Sequence, residues 1–215
     1  QDVDALAEAV RTVDDAAVDA ECQTDAEAFD IACPPEVHAR SQRVGLGLRK
    51  LLEEGGYSAF SMLFRIFNSG EPPLDTLPFL EASKAMARGI GYAGEGDVLT
   101  ASVTGALARS FGHTSFVEVF CADWKGGSLY LSHMGEFSPS VAGDKPRVIE
   151  NEYRLSEAKN PAVVLCAPQE GPATLVNLSP GPDDSFRLIT APVEVLPDAT
   201  SESMRQGVRA WIKPQ

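Results

Sequence analysis

Histidine is scarce in this chain, with His38, His113 and His133 the only three in 215 residues. Any imidazole chemistry must therefore run through one of three positions. Cysteine is nearly as sparse. Cys22, Cys33, Cys121 and Cys166 form no CxxC pair and are too few for a disulfide framework. They read as buried or partly buried free thiols in a reducing compartment. No apolar run approaches the roughly 18 residues that would span a membrane. The N-terminus, Gln-Asp-Val-Asp, lacks the apolar stretch of a signal peptide. No GxSxG motif supports a Ser-His-Asp nucleophile. Positive charge is also short: 18 Lys and Arg against 31 Asp and Glu leave a formal net charge of −13. An acidic chain repels phosphate backbones and anionic membrane surfaces, so neither nucleic acid nor a membrane is an expected partner. These features fit a cytoplasmic protein.

With 44% hydrophobic residues the chain can bury a core in one large domain or two smaller ones. It opens on Gln1, inside an acidic helical pattern, and stops after Trp211-Ile212-Lys213-Pro214-Gln215. Both ends read as part of a longer polypeptide.

Val3, Leu6, Ala7, Val10 and Val13 recur at helical spacing over residues 3–20, which predicts one amphipathic helix or two. Pro34-Pro35-Glu36 opens a stronger helix that ends at Gly55-Gly56. Residues 57–64 are aromatic and apolar, and predict a buried strand of an α/β unit. A loop over 68–77 and a helix over 78–88 follow. Asp97 is placed to cap a further helix through about Ser110, with Gly112 ending it. From Thr114 the texture changes. Short apolar runs at 115–120, 128–132, 162–166, 173–176 and 186–196 are separated by turn residues. Gly126-Gly127 marks a hairpin between the first two, and Pro180-Gly181-Pro182-Asp183-Asp184 separates the last two. The expected fold is an α/β Rossmann-like portion over residues 1–112, followed by a mainly β, barrel-like domain over 113–215. Residues 138–159 have an irregular, charged pattern that fits a barrel loop or a subunit contact.

The segment Gly91-Tyr92-Ala93-Gly94-Glu95-Gly96-Asp97 stands out. With Gly89 it matches GxGxxG, but a dinucleotide fingerprint needs a strand before it and a helix opening within it. Here a helix is expected before it, and Glu95 would repel a pyrophosphate. The glycines read instead as a tight loop that places Glu95. Glu118 lies in Phe116-Val117-Glu118-Val119-Phe120, apolar on both sides. Burial there would cost several kcal/mol unless Glu118 is paired or bound to metal; the alternative is the exposed face of an edge strand. His133 ends the strand-like Leu129-Tyr130-Leu131-Ser132. Two Glu and one His can hold a divalent metal such as Mn²⁺, and the same Glu residues can move protons. His113 is a weaker further ligand, and His38 reads as a solvated residue on a polar helix face.

Aligned together, Leu46-Gly47-Leu48, Glu53-Glu54-Gly55-Gly56-Tyr57, Ala59-Phe60 to Phe64, Leu77-Pro78, the glycine-Glu-glycine-Asp segment, Thr114-Ser115-Phe116 to Glu118, and Ser132-His133-Met134 resemble the L-arabinose isomerase family over most of the chain. The resemblance implies two Rossmann-like domains followed by a β-barrel, of which this chain would be the later central domain and part of the barrel. It implies a Mn²⁺ site, with other divalent metals possible. Glu95, Glu118 and His133 would be ligands, Glu95 and Glu118 the acid/base pair, and Phe64 a wall of the sugar pocket. It also implies a small sugar substrate and a homo-oligomer, a trimer or hexamer. Three departures stand out. The family's second metal histidine lies in a later Gly-Gly-x-His-His segment that this sequence does not reach. The family's N-terminal substrate-binding domain is absent. Val98 stands where the family usually has Trp, and Gly135-Glu136-Phe137 where it usually has Leu-Glu-Val. The expected activity is aldose–ketose isomerisation, with the 215 residues alone inactive. The alternatives are an isomerase or epimerase for a different sugar, or a non-catalytic sugar-binding homologue.

Overall fold

A computed structural model describes residues 3–197 and 208–215. The first half is built on helices. Helix α1 (Val3–Arg11) buries Leu6, Ala7 and Val10, the face its spacing predicts. Helix α2 (Asp15–Ala28) starts where Asp14 accepts a hydrogen bond from Ala17 N at 2.7 Å. Helix α3 (Pro35–Glu54) has proline at its start and Gly55 at its end, as expected. It packs on α1 across Gly47, where a Cβ would stand 2.5 Å from Val10 Cγ2.

Strand β1 (Asp30–Ile31) precedes α3, and β2 (Ala59–Ser61) follows it. The buried strand expected over 57–64 is shorter than its apolar letters suggest. Only three residues pair, all half-buried, and Tyr57 and Leu63 are exposed. The chain then tightens into a 3₁₀ turn, Phe64–Phe67. The reason lies in the partner: β3 (Gly91–Ala93) is itself three residues long and pairs in parallel from Ala59↔Gly91 to Ser61↔Ala93. Helix α4 (Phe79–Ala87) connects the two, completing a βαβ unit. Helix α5 (Val98–Phe111) follows, capped by the Asp97 carboxylate on Thr100 N at 2.8 Å and closed by Gly112 at φ 81°. The strand within the GxGxxG letters begins at Gly91 and a helix precedes it, which is not the dinucleotide arrangement.

The second half is mainly β. Strands β4 (Glu118–Asp123) and β5 (Ser128–His133) form the hairpin marked by Gly126-Gly127. β6 (Arg147–Glu150) and β7 (Ala162–Leu165) pair antiparallel. β8 (Gly171–Pro180) and β9 (Phe186–Val195) form a ten-residue hairpin, and β10 (Val208–Pro214) comes last. Among the described residues, one antiparallel sheet has the order β4-β5-β10-β9-β8. It is an open sheet and does not close into a barrel. A second sheet, β1-β6-β7, joins strands from both sides of residue 113, with β1 parallel to β6. Residues 138–159 supply β6 to it. Phe29, Val37 and Leu80 from the helical half pack there against Val148, Ala162 and Val164.

Two surface expectations are corrected. His38 is buried, not solvated. Asp25 of α2 lies over the polar face of α3 and accepts from His38 Nε2 at 3.0 Å and from Lys84 Nζ at 2.6 Å. Cys121 is exposed, because β4 is an edge strand, while Cys33 and Cys166 are buried and Cys22 is half-buried. Among the described residues, no helix is long and apolar enough to cross a membrane.

Candidate functional site

Three structural units converge at the C-terminal end of β3. The first is the turn after it. Glu95 has φ 62° and Gly96 φ 93°, and Asp97 N–H donates to Gly94 O at 3.1 Å. A left-handed, non-glycine residue is unfavourable by roughly 1–2 kcal/mol, and such residues cluster at functional sites. Ser61 of β2 holds the turn. Its hydroxyl donates to Ala93 O at 2.7 Å and accepts from Gly96 N at 2.9 Å. Glu95 projects as an exposed side chain.

The second unit is β4. Glu118 begins this strand, and its side chain is 41% exposed. Val119 and Phe120 beside it are also exposed. Glu118 is half-buried, so the full burial its apolar neighbours suggested does not occur. β4 lies at the sheet edge, and its register shifts between Val119 and Cys121. The open alternative, an exposed face of an edge strand, is what the fold provides.

The third unit is His133 at the end of β5, 4% exposed. Its Nδ1 lies 2.5 Å from Glu136 Oε2, and Tyr92 O–H donates to Glu136 Oε1 at 2.5 Å. Glu136 and Tyr92 are fully buried. The Phe116 ring meets the imidazole edge-on, with centroids 5.0 Å apart. The free nitrogen, Nε2, faces Glu118 Oε2 at 4.0 Å. Phe64 closes another side: a Cβ on Gly94 would lie 3.4 Å from His133 Nε2 and 3.6 Å from Phe64 Cζ. Glycine at 94 thus leaves open the space in front of the imidazole. Phe64 is held edge-on against Phe79 at 5.3 Å.

Electrostatics follow from three carboxylates around one ring. Burial opposes a charged His133, yet the hydrogen bond and charge of Glu136, with the charges of Glu118 and Glu95, outweigh it and raise its pKa. Burial pushes the Tyr92 hydroxyl up, and the Glu136 carboxylate adds to it, so Tyr92 stays a donor.

As to metal, among the described residues no three His, Cys, Asp or Glu side chains converge as a finished binding group. Glu118 and His133 stand together, while Glu95 reaches them through its field. Adjacent donors each about 2 Å from a shared ion lie roughly 3–3.5 Å apart, so the 4.0 Å between Nε2 and Oε2 would have to close by about half an ångström around an ion. One imidazole with carboxylate oxygens also suits Mn²⁺ in donor type. The residues fit a cation as an incomplete set. His113 does not join them: it is exposed, with Nδ1 2.5 Å from Ser140 O.

A cleft of about 640 Å³ opens beside Glu118, lined by Asp97, Thr100, Phe116, Leu131 and Asn177 among others. That is within the roughly 300–1,000 Å³ of small-molecule sites. A second cleft of about 520 Å³, walled largely by Leu6, Leu48 and Phe60, is apolar and offers no carboxylate or imidazole. Tyr92, Glu136 and Ser61 were not singled out from the sequence as site residues. Glu136 gave one usable signal, a lone carboxylate three residues after His133 in an apolar stretch.

A family model for the L-arabinose isomerase central domain matches residues 1–111. A second, for the L-arabinose isomerase C-terminal domain, matches residues 113–213. Among similar proteins, the L-arabinose isomerase of Leuconostoc mesenteroides is 36% identical over 150 residues, 67% of this chain and 30% of that protein. That of Lactiplantibacillus plantarum is 29% identical over 219 residues, 96% of this chain and 45% of the relative. That of a Nocardioides species is 30% identical over 237 residues, covering 98% and 46%. The chain spans less than half the length of these relatives.

Proposed function

This chain belongs to the L-arabinose isomerase family, and from that premise we propose that it carries the acid–base and cation-binding part of an aldose–ketose isomerase. The observation that supports this most directly is the pairing of His133 Nε2 with Glu118 across 4.0 Å, behind an opening kept clear by Gly94 and walled by Phe64. The left-handed Glu95 turn on the same rim adds the second carboxylate.

An aldose becomes a ketose when hydrogen moves from C2 to C1 and a hydroxyl proton moves from O2 to O1. One carboxylate removes the C2 proton and returns it to C1; the other carries the hydroxyl proton. Glu118 and Glu95 take these two roles. Glu118 lines the adjoining cleft, and Glu95 projects from the turn two residues before Asp97, another of its lining residues. Phe64 gives the sugar an apolar wall and helps exclude water. Glu95, Glu118 and His133 would hold a divalent cation such as Mn²⁺, whose charge would polarise the sugar oxygens.

The test is Glu118→Gln in the full-length protein with Mn²⁺ and a panel of aldoses including L-arabinose. General acid–base catalysis is worth roughly 10²–10⁴-fold, so ketose formation should fall by about that much. Activity within about threefold of wild type would refute the assignment. The panel also names the sugar. Val98, 67% exposed beside the cleft residue Asp97, is the position to vary if another aldose reacts faster.

A further inference from the structure

Glu136 is an expensive residue in its position. It is fully buried, and its ion-pair partner is an imidazole, with no Lys or Arg paired to it among the described residues. A buried carboxylate without a firm counter-charge is strongly disfavoured. Both its oxygens are occupied, one by Tyr92 and one by His133. Its backbone is held as well. Ser83 Oγ on α4 donates to Gly135 O at 3.3 Å and accepts from Phe137 N at 3.0 Å. At Gly135 a Cβ would stand 2.5 Å from Val163 Cγ1, so no side chain fits before Glu136.

From this arrangement we infer that Glu136 is a positioning residue: it holds the proton on Nδ1 of His133 and leaves Nε2 as the bare donor facing Glu118, with Tyr92 steering Glu136 in turn. The inference rests on the reading of Glu118 and His133 as parts of one cation site. Phe116 edge-on against the ring opposes rotation. Nδ1 is committed to Glu136, so the nitrogen presented to Glu118 is fixed. A carboxylate behind a ligating imidazole orients it, sets its tautomer and raises its basicity. Losing such a partner commonly lowers metal affinity about 10–100-fold.

The test titrates metal-free, full-length protein with Mn²⁺, following free Mn²⁺ by electron paramagnetic resonance. Glu136→Gln should weaken binding roughly 10–100-fold, with kcat recovering as Mn²⁺ is raised to saturation. Tyr92→Phe keeps the ring and removes one hydrogen bond, so it should weaken binding in the same direction by a smaller factor. It carries the test if Glu136→Gln does not fold. A merely structural Glu136 would lower the melting temperature of the metal-free protein and leave the affinity of the folded fraction unchanged, and that result overturns the inference. So does Mn²⁺ affinity within about twofold of wild type in the folded variants while His133→Gln loses binding; the cation site then stands and Glu136 has no part in it. Undiminished affinity in both His133→Gln and Glu118→Gln overturns the cation site, and the inference with it.

Discussion

Replacing Gly91 with alanine tests how the βαβ unit sets the site. Gly91 opens β3, and α5 lies directly on it. A Cβ there would stand 2.0 Å from Ala101 O, 2.5 Å from Gly105 N and 2.7 Å from Gly105 Cα. Carbon and oxygen in close contact sit about 3.3 Å apart, so the shortfall is roughly 1.3 Å. All three obstructing atoms are backbone, so no rotamer change relieves them, and α5 must move by about an ångström. Over-packing costs about 1–3 kcal/mol, and rigid obstruction places Gly91→Ala at the upper end, about 3 kcal/mol. The same displacement reaches the chemistry, because α5 begins at Val98, directly after the Glu95 turn. A misplacement near 1 Å can cost about 10²-fold in rate. Urea unfolding would give the stability and ketose formation the rate. Gly56→Ala is the control. It has a left-handed φ of 61° with nothing within 4 Å of the added carbon, so it should lose only about 1 kcal/mol and keep its activity. Gly91→Ala within about 1 kcal/mol of wild type, with activity within about threefold, would refute the reasoning.

Ser61→Ala removes the hydroxyl that ties Ala93 O to Gly96 N. It should cost about 1 kcal/mol in urea unfolding and slow ketose formation more than its stability loss explains. Glu21 is held down at about 2 from the usual 4.5: burial opposes this, but hydrogen bonds from Arg49 and Lys84 and their charges prevail. Since its folded value lies below its unfolded one, its stabilisation is fully present above pH 4.5 and is lost as pH falls toward 2. The stability gap between wild type and Glu21→Gln, followed by urea unfolding across pH, should therefore shrink by about 3 kcal/mol between pH 7 and pH 2. A gap independent of pH would contradict the ion-pair account.

The helices were legible because their ends carry local signals: Pro35 and Gly55 bound α3, and Asp97 and Gly112 bound α5. Hairpins were legible for the same reason. β1 and β6 were not. A two-residue strand has no period to read, and β6 gains its meaning only from Asp30 and Leu165 on either side. His38 misled because α2, which buries only Val18 and Asp25, looks like a solvated helix until Asp25 is seen beneath it. At the site, Glu95, His133 and Phe64 were readable as candidates from local pattern and resemblance. Glu118 was placed, but its exposure depends on which strands lie at the sheet edge, which is a tertiary fact. Tyr92 and Glu136 are 44 residues apart, and neither segment alone indicates that they meet.

The parallel pairing of β1 with β6 has a consequence for synthesis of the chain. Asp30 and Arg147, which pair in register and share an ion pair, are 117 residues apart. At about 5–20 residues per second on the ribosome, Asp30–Ile31 leaves the exit tunnel roughly 6–23 seconds before its partner does. During that interval Phe29, Cys33 and Val37 lack the Val148 and Val164 side chains that later cover them. The first helices emerge with an open apolar flank, and that flank is the surface a nascent-chain chaperone would meet.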